Sequence, residues 1–204
     1  MELSRPVHAW EFADANGPRA GVFGTEQGTF EAYVYPLKVF RDLRLVFRSD
    51  DRVIPGATIA RRIVSTPGAY TVVYSADDFR VAATLAVPVN AAGGLIQLQV
   101  EARNPVRIDV VFARDFQLMW PASFGSGFGE WNPQQRLFRF GADGQPYAAV
   151  LGSPDATLER REYATNYSAD AESSFSLGTI KGTAGRVIAF AASLKSLEEA
   201  LSIY

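Results

Sequence analysis

The chain contains no cysteine, which excludes a disulfide scaffold, a thiolate zinc site and a cysteine nucleophile. The compartment stays open, because many exported proteins also lack cysteine. Histidine is nearly absent as well, with His8 the only one among 204 residues. A His-x-His or His-Glu-x-x-His metal site is therefore impossible. A Ser-His-Asp triad would have to use His8, and no Gly-x-Ser-x-Gly elbow accompanies it. In "VHAWEF" the lone histidine reads as a structural strand residue. Long apolar runs are missing too, and none approaches the roughly 18–20 residues of a membrane span. The opening "MELSRPVHAW" lacks the basic and apolar regions of a signal peptide. A soluble, cytoplasmic protein is the expectation if Met1 is the native start. Export stays open if the chain is trimmed.

Charge of one sign is also lacking. Lysine and arginine number 20 and aspartate and glutamate 22, a net charge of −2, and the signs are mixed throughout. No basic stripe suits a nucleic acid, and no charge block forms a tail. The run "GSGFGEW" lacks the Gly-Lys-Ser/Thr ending of a phosphate loop, and Glu130 breaks Gly-x-Gly-x-x-Gly spacing. Asp50-Asp51 and Asp77-Asp78 read as turn carboxylates, since calcium needs a richer oxygen cluster at short spacing. No cofactor and no metal are expected.

What the chain does have is two-fold alternation. In "GLIQLQVEAR", Ile96, Leu98, Val100 and Ala102 face one way, and Gln97, Gln99, Glu101 and Arg103 the other. "FRVAATLAVP" and "VRIDVVFAR" alternate likewise, the pattern of half-buried antiparallel strands. Less regular segments fall near 7–12, 19–24, 28–36, 43–48, 59–65, 69–75, 136–141, 146–151, 157–163, 173–180 and 185–192, separated by turn residues. The expectation is an all-β domain over 1–193, a large antiparallel two-sheet β-sandwich of about a dozen strands. At the C-terminus, Ser196 and Glu199 match a capping box, and Leu197, Ala200, Leu201 and Tyr204 share a helical face. A short helix is expected there. Its lack of a C-terminal stop signal leaves two readings: the start of a linker over 194–204 toward a further domain, or a helix docked on the sandwich.

Residues 115–132, "DFQLMWPASFGSGFGEWN", raise the functional question. Phe116, Trp120, Phe124, Phe128 and Trp131 stand in a stretch broken by Pro121, Gly125, Gly127 and Gly129. Loops usually avoid aromatics. These rings could seal one end of the sandwich, meet a neighbouring domain, or stack on sugar rings; aromatics are enriched at buried interface centres. A glycosidase needs two carboxyl groups roughly 5–9.5 Å apart. Glu26, Glu31, Asp42, Asp115 and Glu130 qualify by type, but no spacing pairs any two, and no self-contained catalytic site is legible.

Three stretches carry a resemblance: "RAGVFGTEQGTFEAYVYPLKVFRDLRLVF" (19–47), "FARDFQLMWP" (112–121) and "YAAVLGSPDA" (147–156). They resemble the N-terminal β-sandwich of bacterial glycogen-debranching, amylo-α-1,6-glucosidase-type enzymes, which are six-hairpin, (α/α)6-barrel glycoside hydrolases. The resemblance implies a supersandwich of the galactose mutarotase-like kind that packs on a C-terminal helical barrel. The catalytic carboxylates would lie in that barrel, so no catalytic residue is implied here. It also implies loops bordering a substrate cleft, for which Trp120, Phe124, Phe128, Glu130 and Trp131 are the first candidates. Tyr33, Tyr35, Lys38, Arg41 and Asp42 in "EAYVYPLKVFRD" are the second. Either set would touch an α-glucan or oligosaccharide, or the partner domain. An autonomous carbohydrate-binding module and a small sandwich enzyme using Asp115 and Glu130 are the competing readings.

Overall fold

The computed structural model describes residues 2–122, 127–158 and 172–204. β1 (Leu3–Pro6), β2 (Phe12–Asn16), β3 (Ala20–Thr25), β4 (Phe30–Val34), β5 (Leu37–Ser49) and β6 (Arg52–Pro55) come first. A single helical turn, α1 (Gly56–Ile59), leads into β7 (Ala60–Thr66), β8 (Ala69–Ser75) and β9 (Phe79–Ala86). Two very long strands, β10 (Gly93–Leu118) and β14 (Glu172–Ser193), bracket β11 (Gly127–Asn132), β12 (Leu137–Ala142) and β13 (Ala148–Gly152). Helix α2 (Leu197–Ile203) follows.

The all-β expectation holds, with one difference in construction. Among the described residues the strands are not two separate sheets but one hydrogen-bonded, antiparallel network of 14 strands that curls over itself. β10 and β14 cause this. The first half of β10 pairs with β9 and with the second half of β14, while its second half pairs with β5 and with the first half of β14. Their mutual register shifts between Ala102 and Val106, where Asn104-Pro105 interrupts the ladder. Such an irregularity bends a strand and lets it pass from one layer to the other. One layer thus runs β1-β7-β8-β9-β10-β14-β13-β12-β11, and the other adds β5, β4, β3 and β2 outward from β10, with β6 beside β5.

Between the layers lies an aromatic core. Phe40 of β5 meets Phe190 of β14 edge-on at 5.5 Å, and Phe47 lies 5.5 Å from Tyr74 and 5.1 Å from Phe79. Phe112 of β10 packs edge-on against Phe138 of β12 at 5.2 Å. The edge-to-face arrangement sets the positive rim of one ring on the negative face of the next.

α2 docks on the outside of the first layer. Leu197, Leu201, Ile203 and Tyr204 cover Leu137, Val150 and Ala191, so β13 is buried on both faces. Its start is as expected: the Ser196 hydroxyl accepts the Glu199 backbone N–H at 3.1 Å. Glu198 and Glu199 in the first turn complement the helix dipole.

Local boundaries moved in four places. The expected strand at 7–12 is split, because His8–Glu11 form a turn with Trp10 at φ 71°. The segments near 173–180 and 185–192 fuse into β14. Near 157–163, Thr157 makes a lone bridge to Ser176, and residues from 159 lie outside the described residues. The stretch at 115–132 is not a plain loop: it holds the end of β10 and all of β11.

Candidate functional site

Alternation on β2 to β5 sends Ala13, Ala15, Val22, Phe30, Ala32 and Val34 into the core. The intervening side chains share the opposite, solvent-facing side of the layer. Pairing register places Phe12 opposite Thr25, Phe23 opposite Asp14 and Glu31, Tyr33 opposite Gly21 and Lys38, and Lys38 opposite Gln117. Phe12, Phe23 and Tyr33 therefore step diagonally across three neighbouring strands. Phe23 and Tyr33 touch edge-on at 5.6 Å, and Phe12 is 88% exposed. Gly21 lets two side chains close down on the sheet: a Cβ there would sit 2.6 Å from the Phe23 ring and 2.7 Å from the Tyr35 hydroxyl. That hydroxyl donates to Asn16 at 2.8 Å.

Polar groups flank the diagonal. Lys38 Nζ lies 2.8 Å from Glu31 and 2.8 Å from Asp115, and 5.6 Å from the centre of the Tyr33 ring. Tyr33 donates to Glu31 at 2.9 Å, and the Gln117 amide donates to Asp115 at 2.6 Å. Arg41 pairs with Asp42 and reaches Asp115 at 3.9 Å. Burial works against the Lys38 ammonium, but the bonds to Asp115 and Glu31 more than reverse it and raise its pKa. Burial and the bond to Glu31 likewise raise the Tyr33 phenol. Two carboxylate oxygens within 5.6 Å of each other are thus held apart by one ammonium. The ammonium fills the gap between them, where a scissile bond would have to sit.

The two sequence-singled stretches meet at one end of this layer. Met119 N–H donates to the Pro36 carbonyl at 2.8 Å, beside the cis Tyr35–Pro36 bond, and a second cis bond joins Trp120 to Pro121. The aromatics of 115–132 then part company. Phe116 packs on Tyr147 at 5.7 Å, and Trp131 on Phe138 at 5.2 Å and Phe175 at 6.3 Å, so both face inward. Trp120 is 85% exposed, with Met119 and Phe128 at 43% each. Phe124 lies outside the described residues. Glu130 stands on β11, 3.7 Å from Arg139, with partners different from those of Asp115. Arg114, which sequence reasoning passed over, lies against Gly127 and Gly129, where burial lowers its pKa; its Nη1 has no partner among the described residues.

His8 and Glu26 belong to a clamp on the N-terminal segment. Glu26, only 1% exposed, receives both Arg5 Nη atoms at 2.9 and 2.6 Å and the His8 backbone N–H at 2.8 Å. His8 Nδ1 lies 2.9 Å from Glu11. Phe12, Asp14, Asn16, Phe23 and Gln117 were also missed. The alternation in "EFADAN" could have marked the first three. Among the described residues no group of three or more acidic or histidine side chains is placed to hold a metal, and no helix is long and apolar enough to cross a membrane.

No protein-family model matches this sequence, and no curated protein matches it. Solved structures do, 36 chains in all. A bacterial glucoamylase, solved with acarbose, aligns over 98% of this chain and 34% of its own, at 12% identity and a TM-score of 0.64. A protein described as a kojibiose phosphorylase, from the human microbiome, aligns over 93% of this chain and 31% of its own, at 8% identity and a TM-score of 0.57. A protein described as an aldose 1-epimerase, from Escherichia coli K12, aligns over 90% and 99%, at 10% identity and a TM-score of 0.52. At these identities the shared property is the fold: a strongly curled, galactose mutarotase-like supersandwich. The chain spans about a third of the length of the first two enzymes.

Proposed function

We propose that this chain is a non-catalytic accessory domain of an α-glucan-active glycoside hydrolase, packing on an (α/α)6-barrel catalytic domain and shaping its cleft. One observation carries the reading: nearly the whole chain superposes on about a third of a glucoamylase, leaving two thirds of that enzyme to another part. The bridged Glu31–Lys38–Asp115 group supports it, because a lysine held between two carboxylates leaves neither free to act as acid or nucleophile. The debranching type rests on the sequence resemblance at 19–47, 112–121 and 147–156. The exposed Met119–Trp120 corner is the docking edge, and Phe128 on edge strand β11 extends the apolar surface offered to a partner.

A stand-alone module is the second reading, favoured by the full-length alignment with the epimerase-like chain. Immunodetection of the native polypeptide and polarimetry of glucose mutarotation separate the two. A native polypeptide about three times this length, with no acceleration of mutarotation by the 204-residue chain, is the expected result. A native band near 22.3 kDa that speeds mutarotation would replace the accessory reading with an epimerase.

A further inference from the structure

We propose that the N-terminal arm, residues 2–8, exchanges between two copies of this chain to form a dimer. It goes beyond the accessory reading and is separate from the Trp120 corner. The arm holds the body through contacts that a second copy would reproduce one for one. β1 pairs with the edge of β7 from Leu3 opposite Ser65 to Pro6 opposite Arg62, and the Val7 N–H donates to the Arg61 carbonyl at 3.1 Å. Both Arg5 Nη atoms and the His8 backbone N–H donate to Glu26, which is buried in the body of the domain. A buried carboxylate stripped of its guanidinium is costly, so this socket strongly favours holding an arm. It does not distinguish its own arm from a partner's.

The hinge supplies the reason to exchange. His8–Glu11 carry the chain from β1 in one layer to β2 in the other, in a turn closed by the Glu11 N–H on the His8 carbonyl at 3.3 Å. Within that turn Trp10 has φ 71°. Left-handed backbone crowds Cβ, and an indole lacks the local hydrogen bonding that lets asparagine and aspartate tolerate it. Trp10 is 81% exposed, so packing within one chain does little to offset the strain. Extending the hinge returns Trp10 to ordinary β backbone and sends the arm toward a neighbour. Strain is released twice per dimer, while the arm contacts are broken and remade in equal number. The losses are the turn bond and the exposed His8–Glu11 contact.

Exposed apolar surface gathers along the same stretch of chain. Leu3, Trp10 and Phe12 are three of the nine large apolar side chains left exposed among the described residues. β1 and β2, on either side of the hinge, are also sheet edges, each paired on one side only. Two hinges meeting at a two-fold axis would lie side by side and cover one another's Trp10 and Phe12, an isologous contact. A second copy is the partner that fits, because it brings the same arginine for the same buried glutamate.

The absence of cysteine makes the test direct. Leu3 and Ser65 stand opposite each other across β1 and β7, close enough for an introduced disulfide. Leu3 is exposed and Ser65 half-buried, so substitutions there should fold. Leu3→Cys chains are mixed with Ser65→Cys chains, concentrated to the millimolar range, warmed to just below melting and oxidised. Expected is a covalent heterodimer on a non-reducing gel, linked between positions 3 and 65 by peptide mapping. Analytical ultracentrifugation of the parent chain should show a concentration-dependent dimer. Trp10→Gly, which removes strain and ring together, should weaken that dimer at least about tenfold. A parent chain that stays monomeric at millimolar concentration overturns the exchange. So does a dimer without the 3–65 link, which is a side-by-side contact, or a Trp10→Gly variant that dimerises as tightly as the parent. None of these results bears on the accessory reading, which turns on the native length and the mutarotation assay.

Discussion

Gly28 and Lys38 show how single positions are constrained in different ways. Gly28 has φ +85°, and a Cβ there would lie 1.9 Å from the Tyr74 hydroxyl, in a residue that is fully buried. Left-handed backbone and an unyielding neighbour act together, so Gly28→Ala should cost about 2–4 kcal/mol in urea denaturation. A loss below about 1 kcal/mol would mean that the turn from β3 to β4 relaxes freely. At Lys38 the issue is charge. Lys38→Met strands two carboxylates near one another on a half-buried surface, and should cost about 1–3 kcal/mol at neutral pH, less than a deep pair because water still screens the site. Neither constraint is written in local sequence. Gly28 looks like any turn glycine, and Lys38 finds Asp115 only because β5 and β10 pair.

At the scale of elements, α2 is the clearest match between sequence and structure, because its cap and its apolar face are both local. Ser196→Ala should cost about 1 kcal/mol of stability, measured by thermal melting, from loss of the Glu199 N–H bond. Glu199 adds a pH dependence. Its carboxyl is held below the usual 4.5 by the Ser193 hydroxyl and by Lys195. A depressed folded-state pKa stabilises above the unfolded value, and that stabilisation disappears as the pH falls through the depressed one. Glu199→Gln should therefore lower the melting temperature at pH 7 and converge on the parent protein in strong acid. Tyr204 is the opposite case. Burial pushes its phenol up to about 12, and its hydroxyl is buried with no partner among the described residues. Tyr204→Phe removes that hydroxyl and should be neutral or stabilising by up to about 1 kcal/mol. β11 was the element least legible in advance. "GFGEWN" has glycines where β-branched residues would signal a strand, and it pairs only because β12 offers an edge.

Across the whole molecule, the phenylalanines between the layers hold the curl closed. Phe40→Ala removes a fully buried ring that touches both Phe112 and Phe190, and should cost about 3–5 kcal/mol. Trp120→Ala, at the exposed corner, should change stability by no more than about 0.5 kcal/mol. Measuring both by denaturant unfolding separates the aromatics that build the sandwich from those it presents to something else. The aromatic segment that stood out in the sequence thus divides. Phe116 and Trp131 complete the core, while Met119 and Trp120 face outward against the β4–β5 turn.

By itself the sequence determined the strand class, the turns and the capped helix, because alternation, glycine placement and capping act over a few residues. It also excluded cysteine and multi-histidine chemistry outright. Tertiary structure decided the rest. It joined two expected sheets into one by carrying β10 and β14 through both layers. It sorted one aromatic run into core and surface. It brought Asp115 and Gln117 of β10 beside Lys38 of β5, on the face that the successive strands β2 to β4 present with Phe12, Phe23 and Tyr33. Pairing between distant strands is set by non-local register: Lys38 and Gln117, far apart along the chain, stand opposite each other across β5 and β10. No local pattern contains that information.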